Sequence, residues 1–174
     1  VELAQGDALD ARTFQTSIAP CDTLVQLVGT PKPAPWKGAS FRAVDGASAR
    51  ASLDAARFAG VGHYVYLSVA MPAPVMRAYV AVRAECEDAI ARSGLDATFV
   101  RPWYVLGPGH RWPLALAPLY ALAAVLPATR ASAERLGLVR LDDVVATLVY
   151  AIEHPPDGVR VLDTRAIRAR GRMH

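Results

Sequence analysis

Apolar and polar residues along this chain alternate between short β-like runs and longer helical registers. Residues 64–67, Tyr-Val-Tyr-Leu, form an uncharged aromatic and β-branched run, the pattern of a buried parallel strand, which puts Ser68 at the strand's C-terminal end. Downstream, Met76, Val80 and Ile90 recur at helical spacing, and on the helix they predict Tyr79, Arg83 and Glu87 stand at i, i+4 and i+8, aligned along one side. Upstream, 21–29 reads as a strand closed by Gly29, and 42–60 as an Ala-rich crossover helix with Leu53 and Phe58 in register and Gly60 as its stop. After the helix stop Ser93-Gly94, 97–100 forms a further strand that runs into the Pro/Gly loop 101–109. Late in the chain, 138–145 reads as a strand leading into a helix over 144–154, with Asp143 as its N-cap. Strands alternating with helices predict an α/β domain around a parallel sheet.

Composition narrows the picture. With 174 residues, 53% of them hydrophobic and 20% charged, the chain is long enough for one sizeable core and too apolar for disorder, so 1–174 is expected to be a single domain. The net charge of +3 comes from arginines scattered along the chain, without the basic stripe and interleaved aromatics of a nucleic-acid footprint. The terminal Arg165, Arg168, Arg170 and Arg172 read as a solvated end. Cys21 and Cys86 show no metal spacing and nothing suggests an oxidising compartment, so a cytoplasmic protein is expected; His63, His110, His154 and His174 are too scattered for a metal set.

One segment invites a membrane reading. Residues 112–128 run for 17 positions without a charge between Arg111 and Arg130, but Pro113, Pro118 and Pro127 interrupt them. A spanning helix wants about 20 apolar residues, so the segment reads as an apolar lid or core helix within a lid region 103–137, with peripheral membrane contact as the alternative. A pocket roofed by Trp103, Trp112, Leu114 and Tyr120 favours a small apolar substrate, quinone-like or lipid-like.

Ser68, Tyr79 and Arg83 together suggest acid–base chemistry at an oxygen. A phenol with a pKa near 10 is a poor base at neutral pH; a fixed cation close by favours phenolate, and a serine hydroxyl can hold a substrate oxygen. The bland alternative is a helix-surface phenol with Arg83 paired to Glu87. The strand-end Ser68 and the helical Tyr79-Val80-Ala81-Val82-Arg83 resemble the extended and atypical members of the short-chain dehydrogenase/reductase superfamily, whose motif is Tyr-x-x-x-Lys; Arg83 stands where those proteins carry lysine.

The resemblance extends over nearly all of 1–164. It implies a Rossmann-like, doubly wound parallel sheet, an NAD or NADP cofactor, and catalytic roles for Ser68, Tyr79 and Arg83. By the same resemblance Asp7 and Ala8 would face the adenine, and Leu27, Val28 and Gly29 would end a strand against the dinucleotide. Arg101, Pro102, Trp103 and Tyr104 would then wrap its nicotinamide end. The superfamily's Gly-rich phosphate turn is missing from these residues, since Gly60-Val61-Gly62 precedes a strand instead of following one. The economical reading is a chain lacking the first βαβ unit, an N-terminally truncated Rossmann-like domain impaired in dinucleotide binding. Residues 1–6 would then be the end of the family's third strand, and 1–6 and 23–28 would be unpaired, edge-like or paired with each other. Two functions fit. One is an oxidoreductase or epimerase-like enzyme with Tyr79 as acid/base, Ser68 orienting the substrate oxygen and Arg83 as the cation. The other is a non-catalytic dinucleotide-binding sensor or assembly protein, similar to NmrA-type sensors or the accessory subunit of respiratory complex I. Oligomeric state is left open.

Overall fold

Four short runs become one parallel sheet in the computed structural model, which describes residues 2–18, 20–108, 131–132 and 135–171 together with Ala115 and Pro118. The strands are β1 (Thr23–Gln26), β2 (His63–Leu67), β3 (Asp96–Arg101) and β6 (Val159–Asp163), side by side in the order β1-β2-β3-β6. Between β3 and β6 in sequence, β4 (Tyr104–Leu106) and β5 (Leu138–Arg140) form a separate parallel pair. The helices are α1 (Ala47–Phe58), α2 (Arg77–Ala91), α3 (Leu141–Glu153) and α4 (Thr164–Gly171). This is the α/β parallel-sheet architecture that the alternation of patterns predicts, and the Rossmann-like one that the resemblance implies.

β2 explains why the sheet is covered on both faces. Its residues His63 to Tyr66 are all buried, as a central parallel strand requires. Because successive side chains point to opposite faces, Tyr64 and Tyr66 enter the core built with Phe41, Leu53, Val82 and Phe99, while Val65 enters the one built with Val139, Val144, Leu162 and Ile167. α1 and α2 cover the first face, and α3 and α4 the second. α1 ends as its sequence predicts: Gly60 takes φ of +71°, and the Val61 amide donates back to the Ala56 carbonyl at 2.9 Å.

Several expectations need correction. Residues 2–6 form no strand, which corrects the third-strand reading, and no described strand pairs with them, as the unpaired alternative expects. Among the described residues β1 pairs with β2 alone, so its other side is an edge there, as expected for 23–28. The buried face of α2 carries Val82, Arg83, Cys86, Glu87 and Ile90; Val80 is only half-buried and Met76 is the N-cap, at φ +57°. Two charged side chains take core positions there because each meets an opposite charge. α3 starts at Leu141, so Asp143 is its third residue; it acts from inside the first turn, its carboxylate accepting from the Arg140 amide at 3.3 Å. The strand β6, absent from the sequence reading, has Val159 and Val161 exposed, so its pattern carries no strong burial signal.

At the opposite end of the sheet from Ser68, His63 bridges three strands. Its Nδ1 lies 3.2 Å from Thr23 Oγ1 and its Nε2 3.0 Å from Thr98 Oγ1, and Arg160 donates to that same Thr98 oxygen at 3.1 Å. Burial first, and the Arg160 charge second, hold the imidazole below its ordinary pKa of 6.5. The unfolded chain therefore binds a proton that the folded chain refuses. The contribution of His63 is fully present above pH 6.5 and is lost as pH falls through the depressed folded value. Urea midpoints measured between pH 7.5 and about 5 should fall on acidification, and His63→Gln should flatten that slope; an equally steep slope in the variant contradicts the assignment.

Candidate active site

Ser68 is the first residue past β2, and two backbone bonds fix its position. Its amide donates to the Val100 carbonyl at 2.8 Å, and the Ala70 amide to that of Pro102 at 2.9 Å, so the segment runs on beside the end of β3. Its hydroxyl is buried and has no hydrogen-bond partner among the described residues. That hydroxyl stands at the sheet's C-terminal edge, where ligands of open α/β sheets bind, and is free to donate to one.

Tyr79 lies in the first turn of α2, half-buried, with its ring 5.0 Å from that of Phe41. One turn on, the Arg83 guanidinium lies between two phenols, 5.2 Å from the Tyr79 ring centroid and 5.3 Å from that of Tyr66. It donates to the Tyr66 hydroxyl at 3.1 Å, to the Leu67 carbonyl at 2.8 Å and to Asp45 Oδ1 at 2.6 Å. Arg83 thus joins Tyr79 to the backbone next to Ser68. Its partner is Asp45 and not Glu87.

Asp45, which sequence reasoning missed, sits in a π-helical turn, Phe41–Gly46, just ahead of α1. The pair is buried, with side-chain exposures of 6% for Arg83 and 0% for Asp45. The second carboxylate oxygen of Asp45 accepts from the amide and the hydroxyl of Thr30. An aspartate inside an Ala-rich crossover helix is the signal that was available, because a buried carboxylate demands a cation. Glu87, also buried, takes both ends of a guanidinium fork instead: Arg101 Nε donates to Oε1 at 3.0 Å and Nη2 to Oε2.

Burial holds the Tyr79 phenol above its ordinary pKa of 10; Arg83 pulls it down and Asp45 pushes it up. Burial also opposes the charge on Arg83, but Tyr79, Tyr66 and Asp45 outweigh it and raise its proton affinity. At neutral pH Tyr79 is therefore a protonated donor beside a permanent cation.

The residues expected against a cofactor are placed as follows. Ala8 and Val28 line one cavity of about 330 Å³ along the open edge of β1, together with Phe14, Ile18, Leu24 and Gln26. Asp7 is exposed and uses its carboxylate to accept from the Leu9 amide at 2.9 Å, and Leu27 is exposed. Gly29 closes against the ion pair: a Cβ built there would collide with Arg83 Nη2 and come within 3.0 Å of Asp45 Oδ1. Arg101 holds Glu87, Pro102 accepts from Ala70, and the rings of Trp103 and Tyr104 pack edge to face at 5.6 Å. A cavity of about 310 Å³, which Ser68 does not line, is bounded by Ala70, Met71, Arg101, Arg135, Asp163 and Arg165. The expected roof over 112–128 lies outside the described residues, Ala115 and Pro118 apart, as does Gly109. Among the described residues no group of His, Cys, Asp and Glu is arranged to hold a metal ion, and no helix is long and apolar enough to cross a membrane.

Residues 1–111 match a family described as NAD(P)H-binding. The ceramide reductase of Caulobacter vibrioides is 30% identical over 166 residues, which cover 95% of this chain and 51% of that protein; the chain thus spans about half the length of this curated relative. Among solved structures, MoeE5 in complex with UDP-glucose and NAD superposes with a TM-score of 0.66 at 16% identity, over 92% of this chain and 65% of that one. A uronate dehydrogenase from Agrobacterium tumefaciens does so with a TM-score of 0.63 at 18% identity, over 92% of this chain and 59% of that one. These two show the fold; the match over 1–111 shows the kinship, and the chain belongs to the NAD(P)H-binding family.

Proposed function

We propose that this chain forms the site of an NAD(P)-dependent reductase acting on the carbonyl group of an apolar, lipid-like substrate. The observation that carries the reading is the buried, unpartnered hydroxyl of Ser68, a hydrogen-bond donor held ready at the C-terminal end of the central strand. The family's cofactor class fits the residues present in part. The cavity shared by Ala8 and Val28 can take a flat apolar ring, while the phosphate cradle is not among these residues. When bound, the nicotinamide supplies the hydride that reaches the carbonyl carbon.

The chain's own residues do the rest. Ser68 donates to the carbonyl oxygen and orients it. Tyr79, kept protonated by burial, passes its proton to that oxygen as the C=O bond becomes C–OH, and regains one from solvent. Arg83 stabilises the phenolate left behind, from 5.2 Å away. Support for a reductase comes from the relative named for reducing ceramide, and the uncharged 112–128 agrees with a substrate of that character.

Two variants test the reading against reduction of a ketone-bearing ceramide with NADH or NADPH, followed by absorbance, with dinucleotide affinity measured by calorimetry. Tyr79→Phe removes a proton donor without removing volume and should lower turnover about 10²–10⁴-fold while leaving affinity nearly unchanged. Ser68→Ala should lower turnover too, yet leave stability equal or higher, because it deletes an unsatisfied buried group. Undiminished turnover in both variants contradicts the proposal and favours a dinucleotide sensor; a stability loss in Ser68→Ala shows that the hydroxyl serves the fold.

A further inference from the structure

In the Tyr-x-x-x-Lys pattern a lysine ammonium stands four residues after the tyrosine; here the cation is a guanidinium with a buried counter-ion of its own. Arg83 gives one nitrogen to Asp45 Oδ1 at 2.6 Å and the other to Tyr66 and the Leu67 carbonyl, leaving Nε alone without a partner. Asp45 is itself held from behind by the Thr30 amide at 3.1 Å and by the Thr30 hydroxyl. With the carboxylate fixed, the guanidinium has one orientation, and that orientation lays it against the Tyr79 ring.

We propose that Asp45 is a positioning residue for Tyr79: it sets the guanidinium over the phenol and, by cancelling most of its charge, adds to burial in holding the proton there. The inference rests on the reading of Tyr79 as a proton donor and adds what regulates it. The physical argument is one of paired charges. An isolated cation about 5 Å from a phenol favours phenolate, whereas a cation in contact with a carboxylate presents a dipole whose field falls off faster. The charged groups facing Tyr79 are Arg83 from its own helix and Asp45 from the turn ahead of α1; Tyr66 from β2 joins through Arg83. The aromatic neighbour Phe41, from the same turn as Asp45, contributes burial and no charge.

The arrangement suits a reductase. A phenol that holds its proton across the neutral range is loaded as a donor before each turnover. Releasing Asp45's charge should therefore widen the pH range in which Tyr79 acts as a base.

The test is a pH titration of the chain labelled with [ζ-¹³C]tyrosine, with Tyr79 assigned from the signal lost in Tyr79→Phe. It reads protonation directly and needs no turnover, so a failure of the reductase reading leaves it interpretable. In Asp45→Asn the Tyr79 signal should titrate about one unit or more lower than in the parent chain. Asp45→Glu, which keeps the carboxylate and can rebuild the pair, should titrate near the parent value and remains decisive if Asp45→Asn does not fold. An unchanged or higher midpoint in folded Asp45→Asn overturns the proposal, and so does an Asp45→Glu variant, folded by its amide spectrum, in which Tyr79 titrates well below the parent.

Discussion

The buried ion pair between Arg83 and Asp45 is the constraint around which this end of the sheet is arranged. Two charges taken out of water are tolerated only when their remaining polar atoms are satisfied, and here nearly all are. Thr30 covers the far carboxylate oxygen, Tyr66 and the Leu67 carbonyl cover the second guanidinium nitrogen, and two phenol rings flank its plane. The pair also explains Gly29. The chain leading out of β1 passes so close to Arg83 that no side chain fits at Gly29 while the ion pair stays in place.

A second pair of opposite polarity follows one turn later on α2. Glu87 receives the Arg101 fork at the end of β3, so the helix presents a cation to the turn ahead of α1 and an anion to the sheet. Consecutive turns with opposite demands fix the rotation of α2: turning it would strand a buried charge at both places. That fixed rotation holds Tyr79 toward β2, and the Arg101 clamp holds the start of the loop that continues through Pro102. The catalytic reading and the stability of the helix thus depend on the same contacts, beside which the Ser68 hydroxyl and Arg83 Nε are the buried polar atoms without a partner among the described residues of this site.

How much of this was legible in the sequence depended on whether the information was local. Ser68 at a strand end and Tyr79 with Arg83 at helical spacing are local patterns, and they led to the right elements and the right fold. The partners of the two α2 charges were not legible, because Asp45 lies 38 residues from Arg83 and Arg101 14 residues from Glu87. Helical spacing suggested the nearer pairing of Arg83 with Glu87, which lost to tertiary partners able to reach both groups inside the core. For the same reason Val80 was over-weighted as a core residue: apolarity assigns a helix face by default, and two satisfied charges overrode it. β6 escaped because its apolar residues alternate with Arg160 and Asp163 and two of them face solvent. Residues 2–6 were assigned to a strand by resemblance alone; their own types, Glu, Leu, Ala, Gln and Gly, do not favour one, and no described strand pairs with them.

The most direct test of this account is a double-mutant cycle on folding stability, with Asp45→Asn, Arg83→Met and the two combined, each followed by urea denaturation. Removing one partner of a buried pair should cost about 3–5 kcal/mol because it leaves the other charge uncompensated. The double variant should then be clearly less destabilised than the sum of the two, with a coupling of about 2 kcal/mol or more. Additive losses, with coupling below about 0.5 kcal/mol, would mean that the two residues are merely neighbours and that the organisation of the site lies elsewhere.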